Sequence, residues 1–144
     1  VVVLAGKYSS QSITITFDDA PGGTGRIVTG YVQTMSGTKI ESVLQASHAF
    51  GDSWEEHTPT GMARMAPVTL SGHWDTTATT GPHVVFVAPD DGPQDDTRTL
   101  VMVFGDSKTM TVETRLVSYS VNGVNGNLTQ FEAVIQPTGA ATWS

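Results

Sequence analysis

Four histidines, fourteen acidic residues and several hydroxyl-rich runs are the groups in this chain that could do chemistry. His48, His57, His73 and His83 are scattered, and none stands at the spacing that brings two imidazoles onto one helix face for a metal. Glu55, Glu56 and His57 adjoin as an acid/base set would. Neighbours in an extended segment point apart, however, so the reading is a solvated loop. Asp90, Asp91, Asp95 and Asp96 offer oxygens to a Ca²⁺ ion, but EF-hand spacing and its terminal Glu are missing. The run "APGGTGR" has the glycines of a phosphate loop without the Lys-Ser/Thr ending or the helix that should follow. Asn127 opens an "NLT" sequon with no secretory context. No nucleophile-elbow sequence sets a Ser among a His and an acid. The chain is expected to have no catalytic centre, metal or cofactor.

The bulk properties narrow the classes further. At 144 residues the chain is long enough for one domain with a continuous core. No apolar run approaches the roughly 20 residues of a membrane span. The opening "VVVLAG" lacks a basic n-region and is too short for an h-region, so no export signal is expected. With no cysteine, disulfides and thiolate metal sites are excluded. The net charge is −7 and only seven residues are Lys or Arg, which disfavours gripping nucleic acid by charge.

The elements that would position any site are strands. Alternation dominates wherever Val, Ile, Thr and Phe gather. In "SQSITITFD" Ile13, Ile15 and Phe17 face one way while Ser12, Thr14, Thr16 and Asp18 face the other. A turn followed by a strand is expected in "RIVTGYVQTMSG", an extended segment over 38–50, and a strand in "PVTLSGHWD". Residues 51–66 are polar and turn-rich and read as a long loop, whose length of about fifteen residues is unusual without a role. Residues 83–87 read as one short helix or a buried strand, with Thr79 or Thr80 as a possible N-cap. Then "TLVMVF", "KTMTVETRLVSYSV" and "NLTQFEAVIQP" read as three strands.

The tetrapeptide "FGDS" occurs twice, at residues 50–53 and 104–107, but the flanks do not match and no duplication is inferred. The second copy reads as hairpin grammar, with Gly105 taking a positive φ and Ser107 opening the next strand.

Taken together, "AFGDSWEEHTPTGMARMAPVTLSGHWDTT", "GPHVVF", "TRTLVMVFGDSKTMTVETRLVSYSV" and "NLTQFEAVIQPTGAATW" resemble the major tail tube proteins of long-tailed bacteriophages over nearly the whole chain. The resemblance implies a mostly β, antiparallel sandwich or barrel-like domain over 1–144, with one short helix and a long protruding loop. It implies an N-terminal arm over 1–10, an assembly loop over 51–66 and a C-terminal tail over 138–144. Six copies would close into a ring, and rings would stack into the hollow conduit for genome delivery, in the virion and, during assembly, in the host cytoplasm. Partners would be further copies, the tape-measure protein, the tail terminator and the distal tail protein, with DNA passing through unbound and no membrane involved. On this resemblance Phe50 ends a strand of a long hairpin. Asp52, Trp54, Glu55, Glu56, Arg64 and Met65 make contacts between subunits or rings, joined by Val2, Leu4 and Trp143 from the two termini.

Four strands carry a polar stripe opposite their apolar one. In a lone domain such stripes face water. In a ring they could line a wet channel: Thr14 and Thr16; Thr69 and Ser71; Thr109, Thr111 and Glu113; Gln130, Glu132 and Gln136. An acidic wall poor in cations would leave DNA free to slide. The rival readings are a secretion-system tube or tail terminator, and a carbohydrate-binding sandwich with Trp54, Trp74 and Trp143 as platforms.

Overall fold

The computed structural model describes residues 3–4, 7–20, 22–86 and 97–144, with only the backbone of 3–4 and 7–8. Among these residues twelve strands and one α-helix follow in order: β1 (Val3–Leu4), β2 (Lys7–Tyr8), β3 (Thr14–Asp18), β4 (Gly25–Ile27), β5 (Val32–Ser36), β6 (Ile40–Ala46), β7 (His57–Met65), β8 (Val68–His73), α1 (Pro82–Phe86), β9 (Arg98–Val103), β10 (Thr109–Asn122), β11 (Gln130–Pro137) and β12 (Thr142–Trp143). The main sheet runs β4-β3-β9-β10-β11-β8-β5, with β12 added on β10, and every pairing in it is antiparallel. The hairpins β1-β2 and β6-β7 are separate two-stranded sheets.

Period-two sequence builds one core. Ile15 and Phe17 of β3, Leu100 and Met102 of β9, Met110 and Val112 of β10, Phe131 and Ile135 of β11, and Val68 and Leu70 of β8 are all buried in a single cluster. That strands near both ends of the sheet share it means the sheet curls, and Ile13 and Ile15 accordingly share a cleft with Val32 and Met35. This is the barrel-like fold expected. Helix α1 plugs the curl. Phe86 is fully buried, its ring stacked 5.3 Å from Phe17 and 5.7 Å from Phe131. The turn before α1 is organised by Asp75, whose carboxylate accepts from the backbone and hydroxyl of Thr77 and whose carbonyl accepts from the His83 N–H. These two Thr77 bonds hold the Asp75 carboxyl below its ordinary pKa.

Arg98 ends the acidic run "PDDGPQDDTR", which reads as a surface loop, yet it is a member of this core. It precedes Leu100 and Met102 at period two, so its side chain points inward and is wholly buried. Its Nη1 donates to the Val85 carbonyl at 2.9 Å, and the guanidinium lies 5.7 Å from the Phe17 ring centroid. Burial lowers the Arg98 pKa, opposed by the charges of Asp19 and Asp18. Arg98 thereby ties the end of α1 to the sheet.

Gly72 sits at a close backbone approach, opposite a bulge in β5 between Val32 and Thr34. A Cβ there would run into the Tyr31 carbonyl oxygen, which is backbone and cannot step aside. Gly72→Ala is therefore expected to cost about 1–3 kcal/mol or more, read as a lower urea midpoint at unchanged slope.

Several expectations are corrected. Residues 57–65 are not loop but strand β7, paired with β6 from Ile40↔Met65 to Ala46↔His57. Strand β6 ends at Ala46, so Phe50 does not end a strand; the first "FGDS" lies in the turn at the hairpin's tip. In the second "FGDS" the positive φ falls on Asp106 and Ser107, both at 56°, not on Gly105, and β10 begins at Thr109. The expected C-terminal tail over 138–144 contains a strand: β12 pairs with Met110 and Thr111, and Trp143 stacks 5.9 Å from Phe104.

Candidate assembly surfaces

The register places all ten predicted stripe residues on one face of the main sheet. Thr14 and Thr109 flank Val103, and Thr16 and Thr111 flank Val101. Glu113 lies opposite Thr99, whose hydroxyl donates to its carboxylate at 2.6 Å. Gln136 lies opposite Arg115, Glu132 sits between Ser120 and Ser71, and Gln130 between Asn122 and His73. Thr69 opposes Val134. Four stripes read separately thus form one wall. Its character is more mixed than a purely acidic one, because Val101, Val103 and Val134 interrupt it and Arg115 stands on it. Arg115 is the single Lys or Arg on this face among the described residues. Gln136 also reaches sideways, donating to the carbonyls of Met65 and Pro137 at 3.2 and 2.9 Å, and so anchors the root of the β6-β7 hairpin.

That hairpin is the second surface. All of β7 is exposed except Met65. Met65 is 5% exposed and belongs to the core, so its expected role as an inter-subunit contact is overturned: it is the last residue of β7, where the hairpin rejoins the body. Arg64 pairs with Glu41 at 3.0 Å and Lys39 with the same carboxylate at 2.7 Å, hydrogen bonds that hold Glu41 below the ordinary carboxylate range. Further out, Ile40, Leu44 and Met62 are more than half exposed. At the tip Asp52 is spent on the turn, its Oδ2 accepting from the Ala49 N–H at 2.6 Å. This leaves Phe50 fully exposed and Trp54 81% exposed, with no other described residue over them. Glu55 and Glu56 are exposed. Glu55 does meet His57, at 3.3 Å, so the two do not point apart as expected, but on an open turn rather than in a pocket. Of the other histidines, His73 meets Gln33 at 2.8 Å and His83 meets Tyr119 at 3.2 Å, while His48 is exposed near the hairpin tip.

An isolated two-stranded ribbon is marginal in water, and one that carries exposed aromatics on its tip is stable only against something else. A third feature points the same way. Strand β9 pairs with β10 over Thr109–Thr114 only, while β12 and β11 occupy the opposite side. Among the described residues, the β9-side edge of β10 over 115–122 has no partner strand. Long open edges are templates for another chain. At the N-terminus, Leu4 pairs with Lys7 in β1-β2, and Val2 lies outside the described residues.

No protein-family model matches the sequence, and no curated protein matches it. Solved structures do. The SPP1 tail tube aligns with 96% of this chain and 79% of its own at a TM-score of 0.69 and 12% identity. It has the tail-tube fold. A tail-tube-fold chain in the tail of an empty gene transfer agent particle, refined with C6 symmetry, aligns over 96% of this chain and 99% of its own (TM-score 0.66, 14% identity). The tube-terminating cap of the anti-feeding prophage aligns over 100% and 95% (TM-score 0.63, 10% identity). The architecture expected from the resemblance, antiparallel β with one short helix, is the architecture found.

Proposed function

We propose that this chain is a virion structural protein whose copies close into rings and stack into a hollow phage-type tail tube through which the genome passes. The observation that carries this is the presence of two different surfaces in one tail-tube fold: a mainly polar wall drawn from β3, β10, β11 and β8, and a hairpin whose exposed apolar side chains have no partner among the described residues. The wall lines the channel. The β6-β7 hairpin, led by Phe50 and Trp54, contacts the neighbouring subunit or ring, and the open edge of β10 accepts a neighbour's strand. Stacking is head-to-tail and does not close on itself, so length is set by other tail components: the tape-measure protein, a terminator and the distal tail protein. The domain's work is mechanical rather than catalytic. A terminator ring is the second reading, favoured by the likeness to the anti-feeding prophage cap.

Sedimentation velocity with negative-stain imaging across a concentration series separates these. A tube subunit gives hollow filaments that lengthen with concentration. A terminator stops at single rings, and a species that stays monomeric even beside preformed tail ends counts against both.

The channel assignment has its own test. In tubes assembled with short duplex DNA, Glu113→Lys with Glu132→Lys is expected to trap DNA that is released as salt rises, because lysines displace counterions from phosphates. Wild-type tubes should retain none. Equal retention, read by co-pelleting, would move the wall out of the channel.

A further inference from the structure

All three asparagines of the chain lie within residues 122–127, in "NGVNGN", at the connection between β10 and β11. Two of them precede glycine. Their surroundings differ. Val124 to Asn127 form a turn closed by the Asn127 N–H donating to the Val124 carbonyl at 3.0 Å. Gly126 has φ 89°, and Asn125 is not among the residues at positive φ, which is the pattern of a type II turn with Asn-Gly at its centre. Asn125 and Gly126 are both exposed. Among the described residues the Asn125 side chain makes no hydrogen bond, and the Gly126 N–H donates none of the bonds that close the turn. A side chain at position 126 would meet nothing within 4 Å, so solvent reaches the peptide freely. Asn122 is the contrasting case. It sits in β10 opposite Gln130, and its Nδ2 donates to Ser120 Oγ at 3.4 Å. Asn127 is followed by Leu128, whose side chain crowds the nitrogen that would have to attack.

We propose that Asn125-Gly126 is a site of spontaneous covalent modification: deamidation through a succinimide, with water as the only co-reactant. The Gly126 backbone nitrogen gives up its proton and attacks Asn125 Cγ, forming a C–N bond. The side-chain amide nitrogen leaves with that proton as ammonia, closing a five-membered imide. Water then adds to one of the two imide carbonyls and the ring C–N bond there breaks. Opening at Cγ yields aspartate; opening at the Asn125 main-chain carbonyl yields isoaspartate, with the chain rerouted through the side chain. Nothing is oxidised or reduced. Glycine favours the step because it has no Cβ to obstruct its nitrogen and lets the peptide rotate into the attacking geometry. Either product adds a negative charge to a chain already at −7. Isoaspartate also inserts a carbon into the turn that sets the register of β10 on β11. The proposal stands whether or not the chain forms tubes.

The test is a time course of the full-length protein in mildly alkaline buffer, digested and read by peptide mass spectrometry for the amide-to-acid mass gain and for the isoaspartyl product. In the folded chain Asn125 is expected to convert several-fold faster than Asn122, and Asn127 slowest. In denaturant Asn122 should rise to match Asn125, since both precede glycine and only folding distinguishes them. Gly126→Ala should slow conversion at Asn125 several-fold. Because that variant strains a positive φ, Asn125→Gln serves as the second, and should abolish the mass gain from this peptide's fast phase. Conversion at Asn125 no faster than at Asn127 in the folded chain, or unchanged by Gly126→Ala, would overturn the proposal.

Discussion

Replacing Phe50 and Trp54 together by serine is expected to leave a folded domain that no longer forms tubes. Both side chains stand clear of the body at the tip of the β6-β7 hairpin, so their removal takes nothing from the core. The turn that carries them is held by Asp52 and by the Ser47 N–H on the Glu56 carbonyl, and survives the change. In an interface each buried aromatic anchor is worth about 2 kcal/mol or more. Losing both at every contact of a repeating assembly raises the concentration for polymerisation beyond reach, on the order of a thousandfold per contact. Circular dichroism and the thermal midpoint should match wild type while filaments disappear. Tubes of normal appearance from the double variant would remove the hairpin tip from the assembly account. Cutting out 55–64 instead would be uninformative, because those residues supply nearly all of β7 and its pairing with β6.

Phe86→Ala is expected to have the largest effect on the domain itself. The ring is fully buried and sits among Phe17, Phe131 and Tyr119, the last at 6.3 Å. Truncation opens a cavity in the mouth of the curled sheet. It also loosens the end of α1, leaving Val85 packing, the Arg98 bond to the Val85 carbonyl and the His83 contacts with Asp75 and Tyr119 to hold the helix. A loss of about 3–5 kcal/mol follows from comparable truncations. For a chain of this size that is a fall in Tm on the order of 10 °C. Differential scanning calorimetry reads it directly, and a shift of only a degree or two would mean that α1 is not the plug of this core.

Which parts of this molecule could be read from the chain depends on what each element buries. Strands β3, β8, β9, β10 and β11 have one face in the core, so Ile15/Phe17, Val68/Leu70 and Leu100/Met102 print a period of two that is visible without coordinates. Strand β7 buries neither face over eight of its nine residues, and Pro59 and Gly61 interrupt it, so no periodicity marks it and it reads as loop. Its bulge, which sets Leu44 opposite Pro59 two residues after Ser42 opposes Ala63, deepens the disguise. Met65 was misplaced for the same reason. Period two with Leu100 and Met102 marks Arg98 as inward-facing, while its charge and the acidic run before it mark a surface loop; burial follows the period. Strand β12 has two residues, too few for any pattern, and only tertiary pairing reveals it. The polar stripes were visible one strand at a time. That they join into one wall depends on register, which lies in the pairing and not in any single segment.

A helical electron cryomicroscopy reconstruction of filaments grown from the purified chain tests the central claim most directly. The account predicts stacked six-fold rings around an open channel, with Glu113 and Glu132 facing the channel and the β6-β7 hairpin buried between subunits. Filaments with that wall on the outer surface, or a solid core with the hairpin in solvent, would contradict it.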